Sequence, residues 1–271
     1  MNNLQINLFQ EIRFKMIFAN RTLRIPPCFT VVFLYCILSL LATPVFAGWS
    51  VSPIRIELGP KARTHVINVF NDSDKPLTVE TSSKLWTQDE LGADLYTDTN
   101  DLVFFPKVLT LAAKETRVIR VGIKVPTTDN EKTYRLFIKE KERKSSADKT
   151  SISILVNFGV PIFSQPLKTL EKGEVASAQL DNGDLNLRIK NTGNLSFQIK
   201  EIAITGIGTT GTETYRETLN GWYLLAGAER TYKAKINHDD CLQTNRIDTM
   251  VKTLNFEFDH SFTVDFTMCG D

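Results

Sequence analysis

The sequence predicts an all-β protein built from two consecutive immunoglobulin-like β-sandwich domains. Short runs rich in β-branched and aromatic residues recur from Val51 onward, bounded by turn residues, and none has the 3.6-residue period of a helix. Removing a predicted targeting segment of 47 residues from the 271 leaves about 224, which suits two domains of ordinary size. We place these domains at 48–165 and 166–271.

Residues 1–47 are predicted to be a signal peptide. Basic residues precede an uninterrupted apolar run at 29–41, and residues 44–47 (PVFA) predict cleavage between Ala47 and Gly48. The run is short for a membrane-spanning helix, which needs about 20 apolar residues. An uncleaved signal anchor is the alternative, and the true start is either Met1 or Met16. We therefore expect an exported chain.

Charge and cysteine content narrow the function further. The chain has 32 basic and 31 acidic residues, of which the first 47 hold four and one, so 28 against 30 remain. This balance provides no strong field to recruit nucleic acid or an anionic membrane surface. Cys241 and Cys269 remain after cleavage, and in an oxidising compartment a disulfide is the default. A two-ligand metal site is the weaker alternative, because no histidines cluster near either cysteine.

The first domain reads as strand after strand. The predicted strands up to residue 142 are SPIRIEL, THVINVFN, LTVETSSKLW, LVFFP, TRVIRVGIKV and TYRLFIKEKE. A turn at 71–74 separates the second from the third, and a polar loop at 87–101 separates the third from the fourth. Beyond a break at 166–173 the second domain contributes DLNLRIKN, LSFQIKEIAITG, ERTYKAKIN, VKTLNFEFD and SFTVDFTMC. Tight turns are predicted at Asn182-Gly183 and at Asp259-His260.

The stretch 150–166 (TSISILVNFGVPIFSQP) is predicted to form a long strand with one apolar face. Large apolar residues occupy every second position, namely Ile152, Ile154, Val156, Phe158, Val160 and Ile162. Pro161 lacks a backbone donor, which favours an edge position or a strand end. A long apolar edge strand promotes aggregation unless a partner pairs with it. Ordinary core packing is the alternative.

Other motifs give no catalytic site. Residues 206–211 match G-x-G-x-x-G, but no helical pattern follows, so a hairpin loop is favoured over a phosphate site. The three histidines lie in separate strands or turns, and none is near a nucleophile motif. We expect no enzyme activity, no cofactor and no metal site.

The first half of the sequence resembles the periplasmic chaperones of the chaperone–usher pilus pathway. The matching stretches are SPIRIEL, VFNDSDKPLTVET with Trp86, FFPKVLTLAAKETRVIRV, EKTYRLFIKE and the alternating strand ending in PIFSQP. The second half is similar in its β-pattern and its turn at 191–194. The resemblance implies two immunoglobulin-like domains in a boomerang, located in the periplasm, that bind pilus subunits and deliver them to an outer-membrane usher.

The resemblance also implies roles for particular residues. A pilus subunit lacks its last strand, and the chaperone donates an edge strand whose alternate apolar residues fill the gap. The donor positions are Ile152, Ile154 and Val156, with Phe158 and Val160 continuing the face. The same edge implies possible self-association of the free chaperone.

Further residues fall on the family's anchor and hinge. Arg55 corresponds to the arginine that grips the subunit's C-terminal carboxylate, whereas Pro161 stands where the family has a lysine. Arg120 and Glu131 match a buried charge network near the hinge, and Gln165 replaces an arginine. We expect changes in the second domain to compensate for Gln165. The alternative function is a secreted structural or adhesive β-sandwich, itself a surface-fibre component.

Overall fold

The computed structural model describes residues 48–124, 127, 129–142 and 154–270, so the predicted signal peptide lies outside it. The first domain is a sandwich of two sheets. One sheet has the order β1 (Ser50–Ser52), β3 (Thr64–Phe70), β8 (Thr116–Ile123) and β6 (Leu102–Phe105). The other has the order β2 (Ile56–Leu58), β10 (Asn157–Ser164), β9 (Lys132–Glu140), β4 (Leu77–Gln88) and β5 (Asp94–Asp98), with β7 (Val108–Leu111) also paired to β4.

The second domain also contains two sheets. A three-stranded sheet has the order β11 (Gly173–Asp181), β12 (Asp184–Asn191) and β16 (Glu229–Lys235). A five-stranded sheet has the order β14 (Glu213–Asn220), β13 (Phe197–Ile207), β17 (Arg246–Thr253) and β18 (Glu257–Thr263), with β15 (Tyr223–Leu224) paired to β13. The prediction of two consecutive all-β sandwiches is confirmed. The division at residue 165 stays a proposal, and it falls between the end of β10 and the start of β11.

The alternating residues of the strands build one core in each domain. In β9, for example, Tyr134, Leu136 and Ile138 are fully buried between the two sheets. In β13 the buried positions change from Phe197 and Ile199 to Ile202 and Ile204, because a bulge interrupts the pairing with β17 between Ile199 and Glu201. The extra residue reverses the phase of the pattern, so that both halves of the strand face the same core.

A buried asparagine closes the corresponding corner of each sandwich. Asn71 donates its amide to the carbonyls of Lys75 and Ala112, and Asn191 donates to those of Leu195 and Leu224. Each asparagine also accepts, through its side-chain oxygen, from a backbone N–H two residues on. A buried amide with both ends bonded fixes the turn that follows the strand. The repeated corner supports the interpretation of two related sandwiches.

Two turn predictions have different outcomes. Asn182 and Gly183 have φ values of 50° and 75°, and they join β11 to β12 as a two-residue hairpin turn. The turn predicted at Asp259-His260 is wrong, because both residues lie inside β18. The chain turns earlier, where the Thr253 N–H donates to the Phe256 carbonyl. The G-x-G-x-x-G stretch spans the end of β13 and the hairpin loop to β14, where the Gly208 N–H donates to the Thr212 carbonyl.

A short helix in the second domain was not predicted. Helix α1 (His238–Gln243) begins after Asn237, whose side chain accepts from the Asp240 N–H, and Asp239 and Asp240 occupy its first turn. The two acidic residues therefore lie where the positive end of the helix dipole favours them. Among the described residues no helix is long and apolar enough to cross a membrane.

The predicted disulfide is confirmed. Cys241 in α1 is bonded to Cys269 in a terminal 3-10 helix (Phe266–Cys269), with Cα atoms 5.6 Å apart, and both cysteines are buried. The bond therefore fastens the end of the chain to the helix and closes a loop of 28 residues.

Candidate functional site

The segment that precedes β10 exposes apolar side chains on the first domain. Ile154 is 85% exposed, Leu155 39% and Val156 38%, and the three residues lie immediately before the first residue of the strand. The Val156 carbonyl accepts from the Glu140 N–H, which carries the pairing with β9 one residue past the end of β10. Ile152 lies outside the described residues. The described part of the predicted strand is therefore shorter than expected, and begins at Asn157.

The other side of this segment faces no described strand, although the Gly159 carbonyl accepts there from Arg135 Nη1 at 2.9 Å. Strand β2 pairs in parallel with only the last three residues of β10, Ile162–Ser164. Among the described strands, the first part of β10 (157–161) therefore has β9 as its one neighbour. Val156 bonds toward β9, whereas the Gln165 N–H donates to Leu58 on the β2 side. Because bonding direction alternates along a strand, the odd positions 155, 157 and 159 point their N–H groups toward the open edge. Pro161 occupies an odd position, where its missing donor leaves no bond to β9 unmade.

Phe158 and Val160 face inward. Val160 is 3% exposed and belongs to the core of the first domain, and the partly buried Phe158 packs edge-on against Trp49 with ring centroids 4.6 Å apart. The apolar face predicted as continuous is therefore divided. Its described outer part, Ile154 and Val156, is exposed, while its inner part packs against this chain's own core.

Arg55 lies in a cleft of about 270 Å³ between the two domains. Its guanidinium carbon is 4.2 Å from the centroid of the Phe163 ring and 5.8 Å from that of Tyr223. Glu57 Oε1 accepts from Arg55 Nη2 at 3.0 Å and from Nε at 3.2 Å. The second domain supplies most of the opposite wall, and the residues that line the cleft are Arg55, Glu57, Glu171, Ser196, Phe197, Gln198, Tyr223, Leu254 and Asn255. No lysine is among them.

Gln165 has a partner in the first domain. Its side-chain amide donates to Glu57 Oε2 at 3.2 Å, while the other oxygen of Glu57 receives Arg55. A neutral amide therefore suffices at position 165, since Glu57 is already paired with a cation. The compensating changes expected in the second domain stay a prediction, since this described partner of the Gln165 side chain lies on β2.

The structure does not bring Arg120 and Glu131 together. Arg120 is exposed on β8, opposite Val66 and Phe105 in the neighbouring strands, and no ion pair among the described residues joins it to Glu131. Glu131 is buried at the domain junction instead. Its Oε2 accepts from the backbone N–H of Ser196 in the second domain at 2.8 Å, and its own N–H donates to the Asn194 carbonyl. The expected charge network thus corresponds here to a buried carboxyl bonded to backbone.

Burial sets the ionisation of this carboxyl. Loss of water raises the pKa of Glu131 from 4.5 to about 7, while hydrogen bonds from Ser196 and the positive charge of Arg55 oppose the rise. The buried carboxyl therefore keeps its proton to a higher pH than an exposed glutamate does.

An aromatic cluster at the junction was missed by the sequence reasoning. Trp86 and Phe163 of the first domain pack with Leu225 of the second, and Tyr223 meets both rings at centroid distances of 5.4 and 5.7 Å. The Gln88 side chain donates to the Tyr223 carbonyl and accepts from the Leu225 N–H. Trp86 was singled out only as part of a resemblance, and nothing in the sequence indicates that its neighbours come from residues 223–225.

Comparisons with known proteins agree with this architecture. Residues 48–170 match the family described as pili and flagellar-assembly chaperone, PapD N-terminal domain. No curated protein matches the sequence.

Three solved structures share the fold at low sequence identity. One belongs to a chaperone–tip adhesin complex of CFA/I fimbriae biogenesis, at 15% identity over 80% of this chain and 99% of that chain, with a TM-score of 0.55. A second belongs to the CsuC–CsuE chaperone–tip subunit pre-assembly complex of Acinetobacter baumannii, at 16% identity over 81% of this chain and 100% of that chain, with a TM-score of 0.56. A third belongs to the Salmonella enterica SafA pilin–SafB chaperone complex, at 16% identity over 82% of this chain and 99% of that chain, with a TM-score of 0.51. At these identities the likeness supports the two-domain fold.

Proposed function

We propose that the first domain donates the open edge of β10 to a pilus subunit, because residues 48–170 match the pili and flagellar-assembly chaperone family. The chain is a periplasmic chaperone of the chaperone–usher pathway, a binding protein without turnover. Its partners are pilus subunits and the outer-membrane usher. This function is favoured over that of a structural or adhesive surface protein.

One observation carries the proposal, namely the exposed residues Ile154 and Val156 beside backbone N–H groups that face no described strand. A partner strand laid along this edge would bond to the outward N–H groups, and the two side chains would enter its core. Fully burying one large aliphatic side chain contributes about 1.5–3 kcal/mol. Because Ile154 is 85% exposed but Val156 only 38%, the two together would contribute about 2–4 kcal/mol, and Ile152 would add to this at the next position of the same phase.

The energetic division of the apolar face also fits this function. Phe158 and Val160 hold the inner part of the strand on the chaperone's own core, so the outer part is supported in an extended form before a subunit arrives. A supported strand loses less conformational entropy on binding than a free segment, for which ordering costs roughly 1–2 kcal/mol per residue. The same open edge would pair with a second copy of the chain when no subunit is present.

Arg55 is the proposed anchor for the C-terminal carboxylate of the subunit. A guanidinium group stays charged, offers parallel donors to a carboxylate, and tolerates stacking on Phe163. We expect Arg55→Ala to lower subunit affinity by roughly ten- to a hundredfold, because a hydrogen bond to a charged group contributes about 1.5–3 kcal/mol. Unchanged affinity, with the circular dichroism spectrum intact, would show that the anchor is elsewhere.

Charged substitutions on the two faces of the segment test the donor role. Ile154→Asp and Val156→Asp should each abolish complex formation with the cognate subunit on size-exclusion chromatography, and leave the thermal unfolding of the free chaperone unchanged. Leu155→Asp is the matched control, because Leu155 is as exposed as Val156 but has the opposite phase. Binding lost in the control and retained in the other two would reverse the assignment of the faces.

A further inference from the structure

The free donors of Arg55 have a defined direction. Glu57 occupies the edge of the guanidinium formed by Nε and Nη2, at 3.2 and 3.0 Å. The remaining nitrogen, Nη1, points at the hydroxyl oxygen of Tyr223, which lies 3.5 Å away on the second domain. Stacking on Phe163 fixes the plane of the group. A ligand approaching Arg55 from the cleft therefore meets the end that faces Tyr223.

Among the described contacts, the Tyr223 hydroxyl is used only as a hydrogen-bond acceptor, so its O–H can still donate. Its oxygen is the acceptor of the long bond from Nη1, and among the described contacts the O–H donates to no other group. A phenol can donate and accept at the same time. The ring is held by edge-on packing against Trp86 and by contact with Phe163, so the hydroxyl is presented in a fixed position.

We propose that Arg55 and Tyr223 together form a two-donor site for a peptide C-terminal carboxylate, one donor from each domain. This inference rests on the proposed anchor role of Arg55 and adds its missing partner, since position 161 carries proline and no lysine is found among the described residues that line the cleft. One carboxylate oxygen would accept from Arg55 Nη1 and the other from the Tyr223 O–H. The ligand would replace the long Nη1–Oη bond with two shorter bonds, both to a charged acceptor.

The site has a consequence for assembly. Because Tyr223 also belongs to the aromatic cluster at the domain junction, a bound carboxylate would connect the two domains at a second point. Subunit binding would therefore stabilise the junction, and changes at the junction would alter subunit affinity.

The test uses the mature chain and two small probes, N-acetylglycine and N-acetylglycinamide, which differ only in the terminal carboxylate. Binding is followed by two-dimensional ¹H–¹⁵N NMR titration at constant ionic strength. Wild type should bind the acid more tightly than the amide. Tyr223→Phe keeps the ring packing and should weaken binding of the acid by about three- to tenfold, without effect on the amide. Tyr96→Phe, which removes the hydroxyl of an exposed tyrosine far along the chain, is the matched control and should change neither.

Arg55→Ala separates the two levels of the proposal. If it leaves the preference for the acid intact, or if wild type has no such preference, the anchor itself is refuted. If it abolishes the preference while Tyr223→Phe binds the acid as wild type does, the anchor stands and the role of Tyr223 is refuted. An equal loss of affinity for acid and amide in Tyr223→Phe would also refute it, since the hydroxyl would then act on packing.

Discussion

Replacing Glu131 by glutamine should stabilise the protein at alkaline pH and not at acidic pH. The carboxyl is buried at the domain junction, where its pKa is raised to about 7 by loss of solvation. Glutamine has the same shape and keeps a side-chain oxygen that can accept from the Ser196 N–H. The substitution therefore removes the ionisation and preserves the bond.

The sign follows from where protons bind. Between pH 4.5 and about 7 the folded protein holds a proton on Glu131 that the unfolded chain releases, so stability falls as pH rises through this window. The difference between 4.5 and about 7 is 2.5, which at roughly 1.4 kcal/mol per pH unit corresponds to about 3 kcal/mol. The advantage of Glu131→Gln should thus be near zero at pH 4.5 and approach about 3 kcal/mol by pH 8.

Urea denaturation of the mature chain at pH 4.5, 6 and 8 measures this difference. Glu171→Gln is the control, because Glu171 lines the Arg55 cleft and is only partly buried, and its substitution should change stability by less than about 0.5 kcal/mol throughout. A pH-independent difference for Glu131→Gln would refute the reasoning. So would a destabilised variant at pH 8, since the ionised carboxylate would then be the stabilising form.

Two further changes test the packing of the chain. Replacing Cys241 and Cys269 together by serine should lower the free energy of unfolding by about 3–4 kcal/mol, the chain-entropy value for a 28-residue loop, measured by urea denaturation; an unchanged midpoint would contradict a stabilising role. Val160→Asp should unfold the first domain, because it places a charge in a fully packed core. If Val160→Asp melts like wild type, the inner part of the strand does not belong to the core.

Local sequence patterns predicted the fold because most strands are buried on one face. Alternation in stretches such as 132–140 reports directly which residues face the core, and the Asn182-Gly183 turn requires residues that tolerate positive φ. The failures have equally local causes. A bulge in β13 shifts the phase of the pattern, and α1 is too short to show a helical period. Asp259 and His260 resemble a turn in composition, but pairing with β17 holds them in a strand.

The site was less predictable, because its contacts join residues far apart in the chain. The periodicity of 152–162 indicated an apolar face, but only the sandwich determines that Val160 is covered and Ile154 is not. The hinge assignment of Arg120 rested on resemblance, and the structure instead pairs Glu131 with the backbone of Ser196. Tyr223 could not be associated with Arg55 from sequence, since 168 positions separate them.

Hydrogen exchange on the complex with the cognate subunit tests the central claim most directly. Donation of the open edge predicts that the amide protons of Leu155, Asn157 and Gly159, which point away from β9, exchange fast in the free chaperone and become protected on binding. Residues 158 and 160, already paired with β9, should change little. Unchanged exchange at the three outward amides in a stable complex would show that the subunit binds elsewhere, and that this strand serves only the chain's own core.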